Sequence, residues 1–332
     1  MNVLITGVAG FLGSHLADKM IEKGHVVYGI DDLSGGYLEN VNKKVIFYKG
    51  DCNNLDLMNA ITKDIDLVYH CAADAHEGLS VFTPYFTSKN TFLTTSSVLS
   101  ASIKNKVKRF VFCSSMARYG ENKIPFTEDM EPRPQEPYGI SKYASELLVR
   151  NMAEVHDMEY VIIVPHNIIG PRQKYDDPYR NVASIFINRM LQGKQPIIYG
   201  DGLQKRTFSY IEDVIDPLYE VAFRDVSGEV INIGPDEEFI TIKTLAEIIA
   251  ELLNFDLDPI YVHRRPQEVK YATCSADKAR KLLDYNPKWT LKDGLVKMIE
   301  YIKECGVKSF DYHIDLEIIN QKTPVTWRGK LI

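Results

Sequence analysis

Short, continuously apolar runs alternate, through the first half of this chain, with segments whose apolar positions recur every three to four residues. The runs read as buried parallel strands and the periodic segments as helices. Their alternation predicts a parallel sheet with crossover helices. Strands are expected at 2–6, 25–30, 44–48, 66–70, 108–113 and 159–164, and helices at 11–23, 54–62, 86–105 and 139–157. After residue 165 the rhythm breaks, and Pro171, Pro178 and Pro196 with Gly170, Gly193, Gly200 and Gly202 mark longer connections. A helix at 211–225 and a strand at 229–233 are expected to rejoin the main sheet, while helices at 243–254, 275–284 and 291–304 build a smaller lobe. The expected architecture is α/β: a doubly wound parallel sheet from 1–165 and 207–236, and a smaller C-terminal α/β lobe from 166–206 and 237–332. The least periodic stretch, 306–332, reads as an arm with no evident docking surface.

The first strand runs into Gly7-Val8-Ala9-Gly10-Phe11-Leu12-Gly13, a glycine turn that opens an apolar helix. Glycines at these spacings let the backbone turn tightly, approach a pyrophosphate and pack helix on strand, while the helix start offers free N–H groups to phosphate. Three such glycines alone are weak evidence. The context strengthens them: the second strand ends in Asp31-Asp32, about 20 residues on, where an acid accepts the hydroxyls of an adenosine ribose. The carboxylate pair predicts a preference for NAD over NADP, because a 2′-phosphate would meet like charge.

Composition narrows the partners. The chain has 332 residues, 45% hydrophobic and 25% charged, as in ordinary globular enzymes. A net charge of −6 gives no basic field for nucleic acid or acidic lipid. No apolar run is long enough to cross a bilayer, and residues 2–6 read as a strand and not as a signal peptide. Five cysteines without paired spacing suit a reducing compartment, so a cytoplasmic location is expected.

Tyr138 and Lys142 stand four apart at the start of a good helical sequence, on one face. A tyrosine acts as a base near neutral pH only if positive charge stabilises its phenolate, and a lysine with an oxidised nicotinamide would provide that. The spacing itself recurs in Tyr85/Lys89 and Tyr119/Lys123. Tyr138 is preferred because it follows Ser114-Ser115 at the carboxyl end of a buried strand by 23 residues, the edge where open α/β sheets bind ligands.

Together, the glycine pattern, Asp31, the strand-end serines, Tyr138 with Lys142, and Asn167-Ile168-Ile169-Gly170-Pro171-Arg172 resemble the extended short-chain dehydrogenase/reductase family. Within it they are similar to the nucleotide-sugar epimerases, typified by the UDP-hexose 4-epimerases, from residue 2 to about 295. The resemblance implies a Rossmann domain with a substrate lobe, tightly held NAD, a nucleotide-diphosphate sugar substrate, and a homodimer formed by helices 86–105 and 139–157, with Leu93, Val98, Leu99, Tyr143, Leu147 and Leu148 as its apolar stripe. It implies that Gly7, Gly10, Phe11, Leu12 and Gly13 hold the pyrophosphate, Asp31 and Asp32 the adenosine ribose, and Asp51 with Cys52 the adenine side. Ala72, Ala73 and Asn90 would line the nicotinamide side, although Leu93 stands where a glycine is common. Ser115 would bind the reacting sugar oxygen, Tyr138 would transfer the proton, and Lys142 would hold the nicotinamide ribose. Met116, Asn167, Arg206 and Arg265 would contact substrate, the arginines through the diphosphate. Ala272 would sit beside the sugar's 2-substituent and leave room for an acetamido group.

Departures matter too. Ser115 is followed by Met116-Ala117 where related dehydratases and decarboxylases carry acids, which disfavours those reactions. Arg118 either pairs within the protein or meets an anionic substrate group, and His166 reads as a packed histidine. Cys71 and Cys113 read as small buried hydrophobes at adjacent strand ends. The stretch His70–Glu77 is rich in ligand-type residues, but its spacing follows no metal pattern and no metal is expected. The run Tyr175–Arg180 reads as a loop over the substrate, with Arg180 or Asn181 near the base. The leading expectation is an NAD-dependent epimerase working through a transient keto-sugar. A nucleotide-sugar oxidoreductase or an epimerase at another carbon stands second, and a non-catalytic NAD-binding regulator third.

Overall fold

The computed structural model describes all residues, 1–332. Six strands, β1 (Asn2–Thr6), β2 (Val26–Asp31), β3 (Ile46–Lys49), β4 (Leu67–His70), β5 (Arg109–Cys113) and β6 (Glu159–Pro165), join the strand Val230–Ile233 in one sheet. Its order is β3-β2-β1-β4-β5-β6 followed by 230–233, and every pairing is parallel. The order reverses between β1 and β4, which opens a crevice at the carboxyl ends of those strands.

Alternation along each strand feeds two faces. Val3 and Ile5 of β1, with Val111 and Cys113 of β5, pack beneath helix α1 (Phe11–Glu22) and the helix Ile211–Glu220. Leu4, Phe110 and Phe112 face the other way, toward α2 (Leu55–Ile61), α4 (Thr94–Lys104) and α5 (Pro137–Val155). Because both faces are covered, the interiors of the central strands β1, β4, β5 and β6 are apolar, whereas the edge strand β3 is partly exposed. The smaller lobe has its own core, built from the helices Val182–Leu191, Ile242–Leu253 and Leu291–Cys305.

The structure departs from the sequence reading in its helices and in the expected dimer stripe. The helix expected at 86–105 is a path of α3 (Pro84–Ser88), a wide π turn at Lys89–Leu93, and α4. The helix expected at 211–225 stops at Glu220. The helix Asp277–Leu283 leaves the small lobe: Ala276, Ala279 and Leu283 bury themselves in the core beneath α1. Finally, Val98 and Leu99 lie in the main core, 0% and 1% exposed, and cannot form a dimer stripe.

The arm has a docking surface after all. Asp311 N donates to Asp176 O (2.8 Å) in the small lobe, and the amides of Glu317 and Ile318 both reach Phe82 O (3.0 Å) in the large one. Glu317 accepts the amides of Tyr85 and Phe86 at the start of α3, and Trp327 packs among Phe82, Tyr179 and Ile314. The arm therefore straps the two lobes together.

Candidate active site

The glycine turn is built for close approach. Gly7 has φ +71°, and a Cβ there would lie 2.9 Å from the amide N of Ala72. A Cβ at Gly13 would come within 2.2 Å of Gly7 O, so helix and turn touch only because Gly13 lacks a side chain. Helix α1 begins at Phe11 with no side-chain cap, leaving its first-turn amides for an anion. Asp31 closes the second strand: its Oδ2 accepts Ala9 N (2.9 Å) and its Oδ1 accepts Leu33 N (2.8 Å). Burial still raises its pKa. Asp32 turns inward on Ser34 and Asp51 on Asn53, and both line the same crevice with Cys52. Ala72 and Ala73 follow β4, with Ala72 N donating to Thr6 Oγ1 (3.2 Å). Asn90 sits in the π turn, its carbonyl accepting Asp74 N at 3.2 Å. A cradle that any side chain would fill, an uncapped helix start and a strand-end carboxylate fit a dinucleotide.

The reactive groups lie at the ends of β5 and α5. Ser114 and Ser115 point opposite ways: Ser114 donates to the buried Glu146, while Ser115 faces the cleft within hydrogen-bonding reach of the Tyr138 phenol. Helix α5 is capped by Glu136, whose carboxylate accepts Tyr138 N (2.7 Å) and Gly139 N (3.0 Å). Burial and neighbouring Glu77 push the Glu136 carboxyl up to about 8. Lys142, one turn after Tyr138, donates from Nζ to Cys113 O (2.7 Å) and lies 6.0 Å from the Tyr138 ring centroid. Burial brings its pKa down to about 8. The phenol of Tyr138 is pushed up by burial; the Ser115 hydrogen bond opposes this, Glu136 and Glu77 add to it, and Arg180 opposes it. The expected lowering by Lys142 is thus not achieved by the protein's own charges.

At the far end of the cleft, of about 510 Å³, Arg206 donates to Val269 O (2.7 Å) and Arg265 pairs with Glu268 (2.6 Å) while lying over Tyr199. Asn167, fixed by Thr207 O (2.9 Å), lines it too, as do Arg180 and Asn181 from the expected loop.

Two expected substrate contacts are corrected. Met116 and Ala272 do not line the cleft; both are buried in the main core with Tyr119, Phe126 and Cys274. Ala272 pairs with Arg206 in a short sheet whose opposite face carries Tyr271 to solvent, which turns Ala272 inward. Arg118 takes the internal alternative: it is 2% exposed and pairs with Glu146 at 2.9 Å. His166 is fully buried, and burial lowers its pKa to about 4. Cys71 and Cys113 meet with sulfurs 3.3 Å apart.

Several cleft residues escaped the sequence reading. His76 is clamped between Asp74 and Asp177, with Nε2 2.7 Å from Asp177, and His313 of the arm lies close enough that ligand atoms of His76, Asp177 and His313 fall within 4.8 Å of one another. These hydrogen bonds occupy both ring nitrogens of His76. Glu77, Glu136, Ile314 and Trp327 also line the cleft. Glu136 had a signal, an acceptor just before a helix-starting proline, and His76 and Glu77 lay in the ligand-rich stretch His70–Glu77 that was set aside as a metal site.

The chain belongs to the NAD dependent epimerase/dehydratase family, whose profile matches residues 3–234. It is 35% identical over 306 residues to a putative UDP-glucose 4-epimerase of Methanocaldococcus jannaschii, covering 91% of this chain and 98% of that one. Its fold superposes on the UDP-glucose 4-epimerase of Thermotoga maritima, solved with UDP-glucose, with a TM-score of 0.88 at 34% identity, covering 92% and 99% of the two chains. It superposes equally broadly, over 92% and 100%, on the UDP-glucuronic acid 4-epimerase of Bacillus cereus, solved with UDP-glucuronic acid and NAD (TM-score 0.86, 31% identity).

Proposed function

We propose that this protein is an NAD-dependent epimerase that inverts C4 of a UDP-hexose or UDP-N-acetylhexosamine. The observation that carries the reading is that Tyr138 and Ser115 share one cleft with a dinucleotide cradle on one side and Arg206 and Arg265 on the other.

The chemistry that bound NAD supplies is hydride acceptance and return at C4, together with a positive ring charge that favours the phenolate. Gly7, Gly10, Phe11, Leu12, Gly13, Asp31 and Lys142 hold it. Tyr138 Oη takes the 4-hydroxyl proton and later returns it, acting as base and then acid. Ser115 Oγ orients that hydroxyl. Arg206 and Arg265 anchor the diphosphate through paired N–H groups, so that the keto-sugar turns about a fixed tether and presents its opposite face. Elimination or decarboxylation is unsupported, because Met116 and Ala117 cannot move protons and Met116 is buried.

Exposed apolar side chains at Tyr85, Leu93, Ile140 and Leu147 lie along α3, the π turn and α5 and support a two-fold dimer on that face. The five free cysteines and the absence of any helix long and apolar enough to cross a membrane support a cytoplasmic setting. Incubation with UDP-glucose or UDP-N-acetylglucosamine should produce the C4 epimer by NMR, with NAD released on denaturation. Product inverted elsewhere, or no NAD, would overturn the reading.

A further inference from the structure

We propose that Glu77 reads the sugar: its carboxylate accepts hydrogen bonds from the hydroxyl groups of a neutral hexose or N-acetylhexosamine and turns away sugars carrying a carboxylate of their own. The inference rests on the UDP-sugar reading above and specifies which UDP-sugars qualify.

Glu77 is exposed to the cleft, and the residues that follow it are fixed at both ends of one short turn. On its carboxyl side Gly78 lies against Arg265: a Cβ at that glycine would come 3.2 Å from the guanidinium. Three residues on, the Ser80 hydroxyl lies 2.7 Å from the backbone carbonyl of Glu77 and 2.9 Å from Glu136 Oε2, and accepts the Tyr138 amide at 3.2 Å. One short turn thus runs from the arginine placed at the diphosphate to the start of the helix that carries the phenol. A hexose joining a diphosphate to a reacting 4-hydroxyl must span that same interval, and Glu77 lines the cleft along it.

The Glu77 side chain forms neither an ion pair nor a hydrogen bond with the protein, although it is near enough to Arg206, Arg265 and Tyr138 to influence all three. The cations around it have other tasks. Arg206 and Arg265 are the pair assigned to the diphosphate, Arg180 pairs with Asp177 (3.5 Å), and Lys142 donates to Cys113 O. Arg118, the one residue whose sequence context suggested an acidic sugar, is buried against Glu146. An unpaired carboxylate favours hydroxyl donors and repels a second carboxylate.

The test compares kcat/KM for UDP-glucose, UDP-N-acetylglucosamine and UDP-glucuronate in the wild-type protein and in Glu77→Gln, with UDP binding as a control that lacks the sugar. The wild type should strongly prefer the two neutral sugars. Glu77→Gln should lose about tenfold or more on them, chiefly in KM, as expected for a charge-assisted hydrogen bond. Its discrimination against UDP-glucuronate should narrow while UDP affinity stays constant. Wild-type turnover of UDP-glucuronate equal to that of UDP-glucose, or an unchanged preference in the variant, would overturn the proposal. Should no UDP-sugar be turned over, the epimerase reading fails, and calorimetric affinities decide for Glu77 alone. Tighter binding of UDP-glucose than UDP-glucuronate, levelled by Glu77→Gln, supports it; equal binding of both by the wild type sinks it.

Discussion

Glu136 Oε2 accepts the backbone N–H of Tyr138 at 2.7 Å, so the acid that starts α5 also fixes where the phenol stands. Burial, with Glu136 and Glu77 adding to it, raises the cost of ionising the phenol, and the protein alone keeps it protonated. Tyr138→Phe removes the proton carrier and leaves this cap intact. It should retain NAD and fold normally while losing turnover by about two to four orders of magnitude. Full activity in that variant, measured beside NAD content, would remove Tyr138 from the mechanism.

Asp31 holds the loop amides of Ala9 and Leu33 and faces the crevice beside Asp32. A 2′-phosphate placed there meets two carboxylates. NAD should bind the cofactor-stripped protein at least about tenfold more tightly than NADP, an electrostatic difference of roughly 1.4 kcal/mol or more. Fluorescence titration with both cofactors checks this, and equal affinities would contradict it.

Arg118 and Glu146 form a buried pair, their side chains 2% and 0% exposed. Arg118→Ala leaves Glu146 charged and unpaired in the core, at a cost of about 3–5 kcal/mol. Removing both charges with Arg118→Met and Glu146→Leu should recover most of that loss. Urea melts of the single and double variants make the comparison.

His76 is fully enclosed. Burial opposes its protonation, but Asp177 and Asp74 outweigh burial and the nearby Arg180, and hold its pKa above the usual histidine value. A raised pKa means that the stabilising contribution is complete below about pH 6.5 and fades as pH rises through the folded-state value. The melting temperature should therefore decline on the alkaline side, and His76→Gln should flatten that decline. Parallel alkaline slopes in both proteins would exclude the contribution.

Leu147 and Leu93 are 50% and 52% exposed on the face we assign to the dimer. Leu147→Glu should yield a folded monomer by light scattering at micromolar concentration, with circular dichroism unchanged. A monomeric wild type would dispose of the dimer itself.

Much of this molecule was legible in its residues taken in order, because the relevant physics is local. Buried strands announce themselves as continuous apolar runs; a glycine is needed where a Cβ would come within 2.2 Å of a carbonyl oxygen; and Tyr138, Lys142 and Ser115 occupy element ends whose positions follow from those runs. What only the tertiary structure decided are matters of which way a side chain turns and what distant segment meets it. Met116, in the short helical turn that follows Ser115, and Ala272, in a strand that carries Tyr271 to solvent, both turn into the core. His76 meets Asp177, 101 residues away, and the arm returns across both lobes to bring His313 and Trp327 to the cleft. No periodicity records such encounters, since they depend on loop paths set by the packing of the whole chain and not by the run of residues at either partner.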